Sequence, residues 1–256
     1  MIHPSAVVHP DAKLDPSVTV GPGCVIDGDV ELGPGAKLGP NVYITGVTRI
    51  GRDNVFHSGA VIGDAPQDLK YGGAPTRVTI GDSNVFREHV TVHRATTEEG
   101  ETFIGSNNYL MANSHVGHNS RMGDKVILAN GALLGGHVIV EDNVFISGNC
   151  LAHQFVRIGS LALMQGGSAI SKDLPPYTIA RGDNGICGLN AVGMRRAGFT
   201  NEQRIELKRL YQRLFRCKRK LKDALADATR EFTSDTSRVM LDFITASTRG
   251  VCADRG

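Results

Sequence analysis

The sequence from Ile104 to Ile170 reads IGSNNYLMANSHVGHNSRMGDKVILANGALLGGHVIVEDNVFISGNCLAHQFVRIGSLALMQGGSAI, and an apolar residue returns in it at every sixth position. A six-residue period of this kind is typical of a parallel β-helix, in which each repeat contributes one short strand and one corner. The sequence therefore predicts an all-β solenoid of hexapeptide repeats. The apolar residues, called the anchors below, are Ile104, Leu110, Val116, Met122, Leu128, Leu134, Val140, Ile146, Ala152, Ile158, Met164 and Ile170.

The same register extends towards the N-terminus. It starts at Ile2, continues to Ile62, and is met again at Ile80, Phe86 and Val92. Asp68, Ala74 and Glu98 break the pattern, so whole repeats are predicted to leave the scaffold as loops around residues 63–77 and 94–101. Loops on a rigid scaffold are where binding and catalytic residues concentrate.

A different pattern follows Ile170. Pro175-Pro176 ends the register, and Thr200 with Gln203 forms the capping box that opens a helix. Further helices are predicted over residues 218–231 and 235–246, and the residues from Ser247 onward are expected to fray. We expect two domains, a β-helix over residues 1–190 and a helical C-terminal domain over residues 191–256. The apolar stripe of the first long helix is Leu207, Leu210, Tyr211, Leu214 and Phe215.

Composition narrows the class of protein. The chain has 31 glycines, 5% aromatic residues and no Trp, which favours tight turns over an aromatic core. Its five cysteines are odd in number and widely spaced, so neither a disulfide framework nor a metal cluster is predicted, and Cys24 and Cys150 are interpreted as buried thiols. No signal peptide and no membrane-spanning run is found, so we expect a cytoplasmic protein without an integral membrane segment.

Charge is unevenly distributed. The net charge is +2, yet residues 195–222 contain eleven Lys and Arg against two Glu. Such a segment favours an acidic partner. Nucleic acid is the alternative partner for a segment this basic.

Three histidines accompany one column of anchors. The anchors Val116, Leu134 and Ala152 are three repeats apart, and each is followed within three residues by a histidine. These histidines are His118, His137 and His153. Because neighbouring strands lie about 4.8 Å apart, the three rings are expected to line an edge about the length of a sugar. Histidine, with a reference pKa of about 6.5, can act as a general base near neutral pH. The remaining histidines outside the motif of His115, namely His3, His9, His57, His89 and His93, are interpreted as ordinary side chains.

Five motifs carry a family resemblance. They are Asp68-Leu69-Lys70-Tyr71, Asn113-Ser114-His115-Val116-Gly117-His118, Ala152-His153-Gln154-Phe155, Asp173-Leu174-Pro175-Pro176-Tyr177 and Gly193-Met194-Arg195-Arg196-Ala197-Gly198-Phe199. With them the sequence resembles the acyl-carrier-protein-dependent UDP-N-acetylglucosamine 3-O-acyltransferases, which begin lipid A biosynthesis in Gram-negative bacteria. The resemblance covers nearly the whole chain. It implies a left-handed parallel β-helix that assembles as a homotrimer with active sites between subunits.

The resemblance also implies a reaction and its residues. An (R)-3-hydroxyacyl group would pass from acyl carrier protein to the 3-hydroxyl of UDP-N-acetylglucosamine, without a cofactor, a metal or an acyl-enzyme. His118 would be the general base, and the Gly136 N–H would donate to the oxyanion. The position that sets the far end of the acyl groove would be Gly166, and glycine there would leave the groove open to the longer 3-hydroxyacyl chains. This chain departs from the family pattern at three positions. Members often have an acidic residue where this chain has Asn119 or Val192, and a basic residue where it has Ala197. Substrate-binding roles are implied for Asp68, Lys70, His115, His137, His153, Gln154, Asn190, Arg195 and Arg196.

Other functions remain open from the sequence alone. The acceptor could be a 3-amino sugar. Clustered histidines could instead bind zinc, as in carbonic anhydrases built from hexapeptide repeats. A solenoid that only binds a partner is a third possibility. The N-acyltransferase of the same pathway is a fourth, although it usually carries an additional N-terminal domain and the repeat here starts at Ile2.

Overall fold

The computed structural model describes residues 1–255. Within them the chain is almost entirely short strands followed by four helices. The strands are β1 Val7–Val8, β2 Lys13–Leu14, β3 Thr19–Val20, β4 Val25–Asp27, β5 Val30–Leu32, β6 Lys37–Leu38, β7 Tyr43–Thr45, β8 Val47–Ile50, β9 Val55–Phe56, β10 Val61–Asp64, β11 Arg77–Ile80, β12 Val85–Phe86, β13 Thr91–His93, β14 Glu101–Ile104, β15 Tyr109–Leu110, β16 His115–Val116, β17 Arg121–Met122, β18 Ile127–Leu128, β19 Leu133–Leu134, β20 Ile139–Val140, β21 Phe145–Ile146, β22 Leu151–Ala152, β23 Arg157–Ile158, β24 Leu163–Met164, β25 Ala169–Ile170, β26 Thr178–Ala180, β27 Gly185–Leu189 and β28 Ala253–Asp254.

The strands form three sheets, which are the walls of a prism. Every third strand belongs to the same wall: the first wall starts β1-β4-β7, the second starts β2-β5-β8, and the third includes β3-β6-β9 and ends with β26, β27 and β28. Val116 pairs with Leu134 and Leu134 pairs with Ala152 in parallel register. The predicted parallel β-helix, with three repeats in each coil, is confirmed.

The anchors fill the interior of the prism. All twelve anchors between Ile104 and Ile170 are 5% exposed or less. Cys24 and Cys150 are buried free thiols, as predicted. Many corner residues have positive φ, and most of these are Gly, Asn or Asp, which tolerate that conformation.

The two predicted loops are present. One runs from residue 65 to 76 between β10 and β11, and the other from 94 to 100 between β13 and β14. Arg94 connects them to the scaffold, because its Nη1 donates to the Gly63 carbonyl at 2.9 Å and its Nε donates to the Tyr71 hydroxyl at 3.2 Å. The loops are therefore held against the first wall.

Four helices follow β27. They are α1 Ala191–Arg196, α2 Asn201–Phe215, α3 Leu221–Glu231 and α4 Asp235–Thr245. The capping box of Thr200 and Gln203 is formed, and Leu207, Leu210, Tyr211 and Leu214 are buried. The three long helices agree with the prediction to within a few residues, whereas α1 was not predicted.

The prediction of a frayed C-terminus is wrong. β28 pairs with β27 in parallel, and Cys252 is fully buried. Arg216, which caps the C-terminus of α2, forms an ion pair with Asp254 at 2.6 Å. The tail is ordered because it continues the third wall, far in sequence from the strand that it joins. In residues 1–255, no helix is long and apolar enough to cross a membrane.

Candidate active site

His118 lies in the corner between the first and second walls, directly after β16. Its Nδ1 is 2.9 Å from Oδ1 of Asn119. The same oxygen accepts hydrogen bonds from the backbone N–H of Thr96 at 3.0 Å and from the Thr96 hydroxyl at 2.9 Å. A backbone N–H can only donate, so this atom must be the amide oxygen, and His118 must carry its proton on Nδ1. Nε2 is then left with a free lone pair, as a general base requires.

Gly136 lies one coil beyond His118, against its ring. A Cβ atom at this position would be 2.5 Å from Nε2 of His118, so any larger residue would displace the His118 ring. Among residues 1–255, the Gly136 N–H has no hydrogen-bond partner. The arrangement places an unused backbone donor beside the His118 ring.

His137 is the nearest ring to His118. The two ring centroids are 5.3 Å apart and the rings are perpendicular. Burial lowers the pKa of His137, the charge of His118 lowers it further, and Asp68 opposes the shift. Two of the three histidines that were expected to line one edge are therefore adjacent, and Asp68 lies near them in the 65–76 loop.

His115 and His93 form a second pair of rings, 4.8 Å apart. Nδ1 of His115 is 2.7 Å from the Thr91 hydroxyl. Burial lowers the pKa of His115 to about 4, with smaller contributions from His93 and His118, and burial also lowers the pKa of His93. Both rings are thus neutral at physiological pH.

His93 is a site residue that the sequence analysis missed. It was interpreted as an ordinary side chain, yet it is 6% exposed and lies beside His115. A signal was available in the sequence, since His93 directly follows the anchor Val92 as His153 follows Ala152. Its proximity to His115 comes from the first wall, where Val92 pairs with Val116.

His153 occupies a different place from the other two rings of its column. It is exposed, and its Nδ1 lies 3.2 Å from the Gln154 carbonyl and 3.5 Å from Nη2 of Arg249. The ring that packs on the far side of His137 is instead Phe155, at 4.5 Å. His153 lines a groove of about 550 Å³ along the outer face of the first wall, together with His115, Leu133, Leu151, Ala169 and Ser171.

Gly166 lies in the corner between the third and first walls. Its φ is not positive, whereas the next residue, Gly167, has a φ of +72°. A Cβ atom at Gly166 would make only an ordinary contact, 3.6 Å from the Gly148 carbonyl. The backbone conformation therefore favours glycine at Gly167 but not at Gly166.

Lys70 is exposed in the 65–76 loop, and the Asp68 side chain accepts from its backbone N–H at 2.9 Å. Within residues 1–255, no carboxylate lies within ion-pair distance of Lys70. Its ammonium group is free to meet an anion.

Asn190 and Arg196 lie elsewhere, on the third wall. They line a cavity of about 320 Å³ with Ile127, Phe145 and Leu163. The Asn190 side chain caps α1 through the Gly193 N–H at 2.9 Å and donates to the Leu161 carbonyl at 2.9 Å. Arg195 is exposed on the same short helix. In one chain, the predicted substrate-binding residues are therefore divided between the corner of the first and second walls and the outer face of the third wall.

Comparison with known proteins decides the family. The family model "Udp N-acetylglucosamine O-acyltransferase; Domain 2" matches residues 173–252, and the model of the bacterial transferase hexapeptide matches residues 29–64 and 101–136. The acyl-[acyl-carrier-protein]–UDP-N-acetylglucosamine O-acyltransferase of Herminiimonas arsenicoxydans is 43% identical over 98% of both chains, and that of Halorhodospira halophila is 44% identical over 98% of both. The chain belongs to this family.

Solved acyltransferase structures have the same fold. The UDP-N-acetylglucosamine acyltransferase of Francisella novicida superimposes with a TM-score of 0.95 at 36% identity and covers 100% of this chain and 95% of its own. The one from Bacteroides fragilis gives 0.94 at 39% identity, over 98% of this chain and 99% of its own.

In this acyltransferase the basic segment is only partly free. Arg209, Arg213 and Arg219 form ion pairs with Asp227 or Glu231 of α3. Arg204 and Lys208, by contrast, have no carboxylate partner in the described chain, and they line a groove of about 400 Å³ with the exposed Ile205 and with Arg216. This groove therefore combines two cations that are not paired to α3 with exposed apolar surface.

No three His, Cys, Asp or Glu side chains in residues 1–255 are grouped as metal ligands. Two of the clustered ring nitrogens have other partners, because Nδ1 of His118 contacts Asn119 and Nδ1 of His115 contacts Thr91.

Proposed function

We propose that this acyltransferase moves a 3-hydroxyacyl group from acyl carrier protein to the 3-hydroxyl of UDP-N-acetylglucosamine. The observation that carries the proposal is the orientation of His118, whose free Nε2 lies beside the unpaired N–H of Gly136. The names of the relatives supply the two substrates. Catalysis is assigned to residues 1–190 and donor docking to residues 191–256.

In the proposed reaction, Nε2 of His118 takes the proton of the sugar 3-hydroxyl as its oxygen attacks the thioester carbonyl. The Gly136 N–H donates to the oxyanion of the tetrahedral intermediate. When the carbon–sulfur bond breaks, the imidazolium of His118 returns the proton to the departing thiolate. The products are the 3-O-acyl sugar nucleotide and the carrier-protein thiol, and no acyl-enzyme is formed.

Neutral neighbours favour this use of His118. The charge that His118 acquires would be repelled by a second imidazolium, and burial lowers the pKa values of His93, His115 and His137. The proposed acceptor contacts are Asp68, His137 and His115 for the sugar, and Lys70, His153 and Gln154 for the pyrophosphate.

The apolar groove on the first wall is the proposed path of the acyl chain. Leu133 and Leu151 are 40% and 48% exposed along it. The wall extends to the corner of Gly148 and Gly166. Because the backbone does not need glycine at Gly166, its missing side chain is assigned the role of leaving the groove open to long chains.

The proposed assembly is a homotrimer with sites between subunits. The outer faces of the first and third walls are largely apolar, whereas the second wall carries ion pairs such as Lys13–Glu31 and Arg121–Glu101. Two different apolar walls favour a heterologous contact that closes into a ring. The third wall of a neighbouring subunit would bring its Asn190, Arg195 and Arg196 to the nucleotide bound near His118.

The test is a transfer assay with purified protein, UDP-N-acetylglucosamine and a series of 3-hydroxyacyl carrier proteins, with mass spectrometry of the products. We expect the 3-O-acyl sugar nucleotide from wild type and at least a hundredfold lower turnover from His118→Ala, with the fold retained. His89→Ala, at an exposed corner, is the control. A parallel arm with the 3-amino sugar nucleotide identifies the acceptor. No acyl transfer to either sugar, or a His118→Ala variant above about a tenth of wild-type turnover, would contradict the proposal.

A further inference from the structure

Phe155 occupies a corner that suits it poorly. It has a φ of +66° and its side chain is 50% exposed. A left-handed backbone is unfavourable for a large side chain, and exposing an aromatic ring gives up the gain of burying it. The equivalent corner residue two coils earlier is Asn119, at a φ of +60°, which is a residue type that tolerates this conformation.

Other bulky apolar residues in this conformation are compensated by burial. Across residues 1–255 these are Leu161 and Tyr177, at φ of +58° and +67°. Tyr177 is 4% exposed, and Leu161 packs on the same cluster beneath the helices. Within one chain, Phe155 has no such compensation. A strained and exposed residue that does not serve stability points to a role in function.

The contacts of Phe155 indicate that role. Its ring lies flat on His137, with centroids 4.5 Å apart and planes inclined by 12°. His137 in turn meets His118 at 90°. The backbone follows the same path, because the Phe155 N–H donates to the Gly136 carbonyl at 3.0 Å and the His137 N–H donates to the His118 carbonyl at 2.8 Å. Three rings and three backbone segments thus form one column that ends at the base.

We propose that Phe155 is a positioning residue for catalysis, which fixes the ring of His137 and through it the ring of His118. The inference rests on the proposed function of His118. Stacking on one face also withholds water from His137, consistent with its lowered pKa, and the charged groups that face His137 are His118 from the preceding coil and Asp68 from the 65–76 loop. Phe155 acts without touching the reacting atoms.

The test replaces Phe155 with the residue that the corner prefers. Phe155→Asn should leave the melting temperature unchanged or raise it, because asparagine relieves the strain of the left-handed backbone. It should lower kcat ten- to a hundredfold, on the order expected for a misplaced catalytic group, and change KM less than threefold. Phe155→Tyr keeps the ring and should keep at least half of kcat. His89→Asn relieves the same backbone conformation at an exposed corner, at a φ of +57°, and should leave kcat unchanged.

A second readout is independent of acyl transfer. The pKa of His137, followed by NMR with ¹³C-labelled histidine and assigned with His137→Gln, should rise in Phe155→Asn and stay in place in Phe155→Tyr. If transfer itself fails in wild type, this titration still tests the contact. The proposal is overturned if Phe155→Asn keeps wild-type kcat and an unshifted His137, if Phe155→Tyr loses as much as Phe155→Asn, or if Phe155→Asn melts earlier or dissociates, since Phe155 would then be a packing residue.

Discussion

At the scale of single residues, a neutral amide orients His118, the proposed general base. The Thr96 N–H donates to the amide oxygen of Asn119 and so holds that oxygen towards His118. The oxygen accepts the Nδ1 proton of His118 and thereby sets which ring nitrogen is protonated. In Asn119→Asp a carboxylate would occupy this position and stabilise the imidazolium. The acidic limb of the kcat/KM profile should therefore move to higher pH, while Asn119→Ala should lose at least tenfold in kcat at every pH. Profiles of the three proteins check this, and an acidic limb unmoved in Asn119→Asp would contradict it.

His115 should make stability depend on pH. Its pKa is lowered from 6.5 to about 4, so the unfolded chain binds a proton in this range and the native chain does not. The free energy of unfolding should fall as pH falls through this window, and at about 1.4 kcal/mol per pKa unit His115 should account for about 2 kcal/mol between pH 7 and pH 5. Urea titrations of wild type, His115→Gln and the exposed control His89→Gln measure the difference. Equal pH dependence in all three would contradict the prediction.

Gly166 should set the acyl length. Each buried methylene contributes about 0.8 kcal/mol, so filling the groove over two to four of them changes donor selectivity by up to about a hundredfold. Gly166→Met should shift preference to shorter 3-hydroxyacyl donors while keeping activity on its best donor, and Gly166→Ala should shift it less. Competition between donors of different length checks this. A wild type that prefers short donors, or a methionine variant with unchanged preference, would remove Gly166 from this role.

At the scale of elements, the groove beside α2 is the proposed docking surface for acyl carrier protein, because Arg204 and Lys208 there form no ion pair with α3. Reversing the charges of Arg209 and Arg213, two basic residues of the 195–222 segment, would also break the ion pairs to Asp227 and Glu231 that join α2 to α3. Arg204→Glu with Lys208→Glu avoids this. We expect this variant to have a KM for acyl carrier protein at least tenfold higher and a flatter dependence of that KM on salt. The KM for the sugar nucleotide should be unchanged, because charge complementarity acts mainly on the rate at which the two proteins associate.

The matched control is Lys220→Glu with Lys222→Glu, which reverses the same charge in the same segment outside the groove. If the control and the groove variant raise KM equally, docking depends on the overall charge of the segment and not on the groove.

The individual elements differ in how far the sequence alone predicts them. The anchors predicted the coils and both loops, because one residue in six must be buried and a repeat that cannot comply must leave the wall. His93 was missed because its burial depends on pairing with a strand of the next coil. The C-terminal strand was missed because its partner, Gly185–Leu189, is distant in sequence. The ion pairs of α2 depend on how α3 packs, which the local pattern does not contain. The domain boundary at residue 190 and the catalytic roles stay predictions.

At the scale of the whole molecule, the proposed site residues are divided between different walls of the prism. His118 lies between the first and second walls, and Asn190 and Arg196 lie on the third. If each active site takes residues from two neighbouring subunits, co-assembly of inactive His118→Ala chains with impaired Arg196→Ala chains should restore acyl-transfer activity. In a random mixture about one interface in four combines an intact His118 with an intact neighbouring Arg196, given a closed heterologous ring.

The decisive measurement is therefore acyl transfer by an equimolar co-assembled mixture of His118→Ala and Arg196→Ala, compared with each variant alone. We predict about a quarter of wild-type turnover at low sugar-nucleotide concentration, well above the average of the two separate variants. Separately assembled variants mixed afterwards, without exchange, should show no gain. A co-assembled mixture that gives only the average of its parts would contradict a site shared between subunits.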